Sequence, residues 1–225
     1  HYHGRTAHAS VTPHLGVNAA DAITVAQVGL GLLRQHFNSD DQVHGIVTKG
    51  GEAANIIPGE ASARYFYRST DLHSLSMLEP RVKACFEAGA IATGAILDVQ
   101  PLGPPYSEFV HDHDLIGKYR KNAESLGRVF SPPSTKVAGS TDMANVSLLM
   151  PTIHPMLGLD SGTAVNHQPE FAAYCRTPDA DRAAVEGALA MALTAVDAAS
   201  DDETRTRLLG HETSYSEIGE YPWSF

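Results

Sequence analysis

Three places in the sequence hold residues whose chemistry reaches beyond scaffolding. The first is His8, in the small-residue stretch G-R-T-A-H-A-S. An imidazole just after a strand can donate a hydrogen bond to a developing oxyanion. The same residue serves equally well as a surface or capping histidine. The second is Asn55 in G-G-E-A-A-N-I-I-P, followed by Arg68 in Y-F-Y-R. An amide and a guanidinium brought together suit a carboxylate, because the guanidinium fork matches two oxygens. A turn asparagine and a solvated arginine account for the same pattern. The third is His167 in N-H-Q-P-E-F. Neutral imidazole is a common ligand of zinc-like ions, although a lone loop histidine is seldom one. No HExxH, cysteine cluster, nucleophile elbow, phosphate loop or dinucleotide fingerprint accompanies these residues.

The elements that must position them are legible from periodicity. Apolar residues at helical intervals run through 16–37, with Asn18 or Gly16 as the cap. Residues 42–49 alternate and stop at Gly50-Gly51, as a strand does. A turn-rich bridge over 55–59 leads into a strand over 60–70, with Ala61, Ala63, Tyr65 and Tyr67 on one face. Asp71 caps a helix over 72–93, Gly94 closes it, and 95–99 reads as a strand. With a first strand at 1–6, the order is β-α-β-β-α-β, the ferredoxin-like arrangement of one sheet with two helices on one face.

Gly103-Pro104-Pro105 marks a boundary, giving a first domain over 1–102 and a second over 103–225. The second is predicted to hold a polar helix over 112–126 and a loop at Ser131-Pro132-Pro133-Ser134. An Ala-rich helix over 180–199 and a short tail helix follow, with a loose end over 211–225. The class is α/β (α+β).

Composition narrows the function. A net charge of −10, with no basic run longer than Lys118 to Lys121, argues against nucleic acid as a partner. No apolar run approaches the ~20 residues of a membrane span, so no membrane association is expected. Cys85 and Cys175 show no metal or redox spacing and read as reduced thiols of a cytoplasmic protein. The sequence opens at His1 without an initiator methionine, in what reads as a strand. A piece of a longer polypeptide is therefore expected.

The order G-R-T-A-H-A-S, P-H-L-G-V-N-A, V-H-G-I-V, N-I-I-P and Y-F-Y-R resembles the lid, or dimerisation, domain of the metal-dependent amidohydrolases of peptidase family M20. The later G-S-T-D-M-A-N-V-S, P-T-I-H-P and N-H-Q-P-E-F resemble the C-terminal part of the catalytic domain in the subgroup with aminobenzoyl-glutamate hydrolase. The resemblance covers roughly 1–200. It implies an enzyme with two divalent ions, zinc or manganese, that hydrolyses the amide of an N-acyl amino acid, aminobenzoyl-glutamate or a dipeptide. It further implies a homodimer paired through the lid. His8 would stabilise the tetrahedral intermediate in the partner subunit's site, and Asn55 with Arg68 would hold the substrate carboxylate. His167 would complete one metal's shell, and Asp142 would border the site. The family's other metal ligands and its general base precede the lid and have no counterpart here, so this chain alone is expected to be inactive and to hold no metal. The alternatives are a non-catalytic dimerisation module and a small-ligand regulatory domain, the latter leaving the later motifs unexplained.

Overall fold

The computed structural model describes residues 1–130 and 139–210. The expected loop at Ser131-Pro132-Pro133-Ser134 and the tail over 211–225 lie outside the described residues. Among the described residues the chain forms two units, one over 1–108 and one over 109–210.

The first unit is built on a four-stranded antiparallel sheet. Its strands are β1 (Tyr2–His3), β3 (Gln42–Lys49), β5 (Glu60–Arg68) and β6 (Ile96–Leu97), in the spatial order β3-β5-β1-β6. A separate ribbon pairs β2 (Ala7–His8) with β4 (Ile56–Ile57). Helices α1 (Ala19–Leu33) and α2 (Leu72–Thr93) pack on each other and on the sheet. The four-stranded sheet and its two helices reproduce the ferredoxin-like order expected from the sequence.

Each element has a local cause. The Asn18 side chain accepts hydrogen bonds from the amides of Ala20 and Asp21, which starts α1. Its buried residues Ala19, Ala22, Ile23, Ala26 and Leu30 fall on one helical stripe. Asp71 accepts from the Ser74 amide at 2.7 Å and starts α2. Gly94, at φ 75°, ends it in the left-handed conformation that glycine adopts without a Cβ penalty. Two apolar clusters meet beneath the sheet, one around Tyr2, Ile23 and Ala61, the other around Leu30, Val43, Leu78 and Val82. Each fully buried Leu or Val there contributes roughly 1.5–3 kcal/mol relative to exposure.

Two phenols, one buried and one half-buried, are tied to the helix that covers them. The Tyr2 hydroxyl donates to the Phe86 carbonyl at 2.7 Å, and burial pushes its pKa up to about 12. The Tyr67 hydroxyl donates to Glu79 at 2.9 Å, and burial followed by that bond raises its pKa.

The second unit packs α3 (His113–Ser125) against α6 (Pro178–Ser200), with α4 (Met143–Ser147), α5 (Pro169–Tyr174) and α7 (Asp202–Leu209) completing it. Tyr119 and Ala123 of α3 meet Ala190 of α6. Thr177 caps α6, and Ala183, Gly187, Ala190, Thr194 and Ala198 form its buried stripe.

Four sequence expectations need adjustment. The first strand is not one run over 1–6 but two short pieces, β1 and β2: the Gly4 amide still donates to the Gly59 carbonyl at 2.7 Å in the β1–β5 register, and pairing resumes at Ala7 opposite Ile57, shifted by one position. A Cβ at Gly4 would overlap the Val17 carbonyl oxygen, so only glycine permits that approach. The turn-rich bridge over 55–59 contains β4. The last strand of the lid is confined to Ile96–Leu97.

Finally, α6 is long and apolar enough, by length and composition alone, to cross a bilayer. No sequence run had shown this, because charged residues interrupt the alanines. Two of them are partnered: Glu186 pairs with Arg128 at 2.8 Å, and Asp197 accepts from Asn122 at 2.8 Å. Its buried stripe packs against α3, while Val185, Leu189, Met191 and Val196 remain exposed.

Candidate active site

The β2–β4 ribbon brings His8 and Asn55 to neighbouring backbone positions. Ala7 lies opposite Ile57 and His8 opposite Ile56. The ladder extends one step further, with the Ala9 amide donating to the Asn55 carbonyl at 2.9 Å. His8 and Asn55 thus sit on adjacent strands, about 5 Å apart between backbones. Both are exposed.

The backbone around His8 is held from two sides. Besides the Asn55 contact, the His8 carbonyl accepts from the Thr12 amide at 3.1 Å, which closes the turn after β2. The imidazole is engaged as well. Its Nδ1 lies 3.3 Å from the Ser10 amide nitrogen and 3.2 Å from the Ser10 hydroxyl. The sequence reading did not single out Ser10. Its only signal was a hydroxyl two residues beyond His8.

Beside the ribbon is an open recess of about 490 Å³ lined by Arg5, Thr6, Glu52, Ile56 and Glu60, among others. Lys49 bridges its two acids, at 2.9 Å to Glu60 and 3.5 Å to Glu52. The hydrogen bond and charge of Lys49 hold the Glu60 carboxyl below the usual range. The Arg5 Nε donates to the Leu15 carbonyl at 2.5 Å, which fixes the guanidinium at the rim.

Arg68 does not join this group within one chain. It lies at the far end of β5, opposite Gln42, whereas β4 adjoins the Glu60 end. Eight residues of extended strand separate Glu60 from Arg68, roughly 26 Å at about 3.3 Å per residue. A single carboxylate cannot touch both Asn55 and Arg68 of the same polypeptide.

His167 is in the second unit, exposed, in the loop before α5. It is the one non-glycine residue with positive φ, 71°, among the described residues. Histidine tolerates that region better than most residues, yet the conformation remains uncommon. The loop is tied down by the Gln168 side chain, which accepts from the Val165 amide at 3.0 Å. Asp142 precedes α4 without capping it through its side chain.

Among the described residues, no group of three or more His, Cys, Asp or Glu side chains could hold a metal ion. A hydrolytic zinc needs about three protein ligands. The described residues therefore do not by themselves fit a complete metal centre.

The fold and the ribbon define a class. Residues 1–93 match the M20 peptidase dimerisation domain. Among curated relatives it is 33% identical over 199 residues to the Xaa-Arg dipeptidase of Mus musculus, covering 87% of this chain and 46% of the relative. The chain thus spans about half the length of that relative.

Among solved structures it is similar to the aminopeptidase PepT of Bacillus cereus, with a TM-score of 0.56 and 22% identity over 87% of this chain and 50% of the other. It is similar also to an aminobenzoyl-glutamate utilization protein from Klebsiella pneumoniae, with a TM-score of 0.55 and 19% identity over 85% of this chain and 46% of the other. At those identities the two structures speak for the fold alone.

Proposed function

We propose that this polypeptide supplies the lid and the trailing catalytic segment of an amidohydrolase. The reaction would be hydrolysis of the amide of an N-acyl amino acid, aminobenzoyl-glutamate or a dipeptide-like molecule bearing a free carboxylate. The observation that carries this reading is the neighbouring backbone placement of His8 and Asn55 on the β2–β4 ribbon, in a chain whose residues 1–93 match the peptidase dimerisation domain. His8 donates to the oxyanion of the tetrahedral intermediate, and Asn55 orients the substrate through its amide. Arg68 binds the carboxylate as a bidentate cation, at a site formed with residues outside its own β2–β4 ribbon.

A divalent ion serves the intact enzyme, with His167 as one ligand and the others outside these 225 residues. The 225-residue chain alone is accordingly inactive. Two copies pair through the lid. The dimerisation-domain match supports this, as does the edge position of β3 with Ile46 at 64% exposure. An unpaired strand edge is a ready template for a second copy.

The test is His8→Ala in the hydrolase that carries this chain, assayed on N-acyl amino acids, aminobenzoyl-glutamate and dipeptides. Loss of one oxyanion donor lowers kcat by about 10²–10³. Activity within a few-fold of the parent would remove His8 from the mechanism. Retention of the dimer by sedimentation would show that the variant is intact.

A further inference from the structure

We propose that Ser10 is a positioning residue that sets the tautomer of the His8 ring, an inference that rests on the reading of His8 as an oxyanion donor. The Ser10 backbone amide approaches Nδ1 at 3.3 Å. An amide N–H can only donate, so the bond forms only when Nδ1 carries a lone pair. The proton of the neutral ring is then on Nε2. The Ser10 hydroxyl, at 3.2 Å from the same nitrogen, has the freedom to turn its proton toward it as a second donor.

The rest of the turn holds this pair in register. The Ala9 amide is bonded to Asn55 and the His8 carbonyl to Thr12, so the backbone on both sides of the ring is fixed. Nε2 has no partner among the described residues, and His8 is exposed. The outcome is an N–H donor prepared on the free side of the ring before any ligand arrives. Such preorganisation is what oxyanion stabilisation requires, since the donor then needs no rearrangement as charge develops. The other tautomer would present a lone pair to the oxyanion and repel it.

The experiment is nitrogen-15 NMR of the histidine side chains in the 225-residue chain, at a pH where His8 is neutral. The expected spectrum shows His8 Nδ1 as an unprotonated nitrogen and Nε2 as a protonated one, with a coupling across the hydrogen bond from the Ser10 amide to Nδ1. Ser10→Ala keeps the amide and keeps the pattern. Ser10→Pro removes both donors, and the Nδ1 signal moves toward the average of the two tautomers. The coupling in the unsubstituted chain stands as a direct test even if the proline variant does not fold.

A protonated Nδ1 in the unsubstituted chain overturns the proposal, as does an unchanged His8 spectrum in a folded Ser10→Pro chain. The two ideas fail separately. An inert His8→Ala enzyme alongside a protonated Nδ1 sinks only the role of Ser10. A fully active His8→Ala enzyme alongside the expected spectrum sinks only the role of His8.

Discussion

Replacing Arg207 with methionine tests how the second unit closes. The Arg207 guanidinium reaches Asp112 at 2.5 and 3.1 Å and Asp114 at 3.1 Å, and so ties α7 to the start of α3. The Asp112 side chain is only 8% exposed, and it also accepts from the Leu115 amide at 2.9 Å as the cap of α3. Methionine keeps much of the apolar stem but leaves the Asp112 carboxylate with the cap bond alone. Breaking a buried pair costs about 3–5 kcal/mol, but Arg207 itself is 41% exposed, so water recovers part of the loss. A hydrogen bond to a charged group contributes about 1.5–3 kcal/mol, which places the expected loss near 2 kcal/mol. At about 2–4 °C per kcal/mol for a chain of this length, Tm falls by roughly 4–8 °C.

The pH dependence adds a second check. Burial raises the Asp112 pKa, but the Arg207 hydrogen bond and the Leu115 amide outweigh it, and the net direction is down. The Lys118 and Thr204 hydrogen bonds bring Asp114 from 3.8 to about 2. Carboxyls depressed in the folded state stabilise it above their unfolded pKa and lose that stabilisation as pH falls through the folded value. The difference between parent and Arg207→Met is therefore full near pH 7 and shrinks between about pH 4 and pH 2. Thermal melts followed by circular dichroism at both ends of this range measure it. A difference below about 0.5 kcal/mol at pH 7, the ordinary effect of a surface substitution, refutes the reasoning.

Two further outcomes follow from the first unit. Asp71→Ala removes the cap of α2 and lowers stability by about 1 kcal/mol in chemical denaturation, while Asp71→Ser restores most of it. Lys49→Met frees Glu60 from the cation that depresses it, so its titration midpoint, read by NMR, rises toward the ordinary 4.5.

The lid was legible in the sequence wherever local signals were strong. Helix α2 begins at the residue after Asp71 and ends at the residue before Gly94, because a capping carboxylate and a left-handed glycine act within a turn of the chain. Strand β3 spans the alternating run at 42–49. The β2–β4 ribbon was not legible: two-residue strands carry no period, and residues 7–8 find 56–57 across nearly fifty intervening positions. That pairing brings His8 beside Asn55, so the central relation of the site was invisible even though both residues stood out by type. The separation of Asn55 from Arg68 was hidden for a similar reason, since a short sequence spacing spans a long distance once the chain is extended. The positive φ of His167 has no local marker, because even for histidine the left-handed region is uncommon and no glycine or Asn-Gly pair sits beside it.

The rigid length of β5 carries a consequence for how any catalyst built on this lid responds to its own concentration. A ligand gripped by both Asn55 and Arg68 must draw them from separate molecules. Turnover per mole would then decline on dilution, and mixing equal amounts of two inert variants, one lacking each residue, would regenerate about a quarter of the centres by random subunit exchange alone.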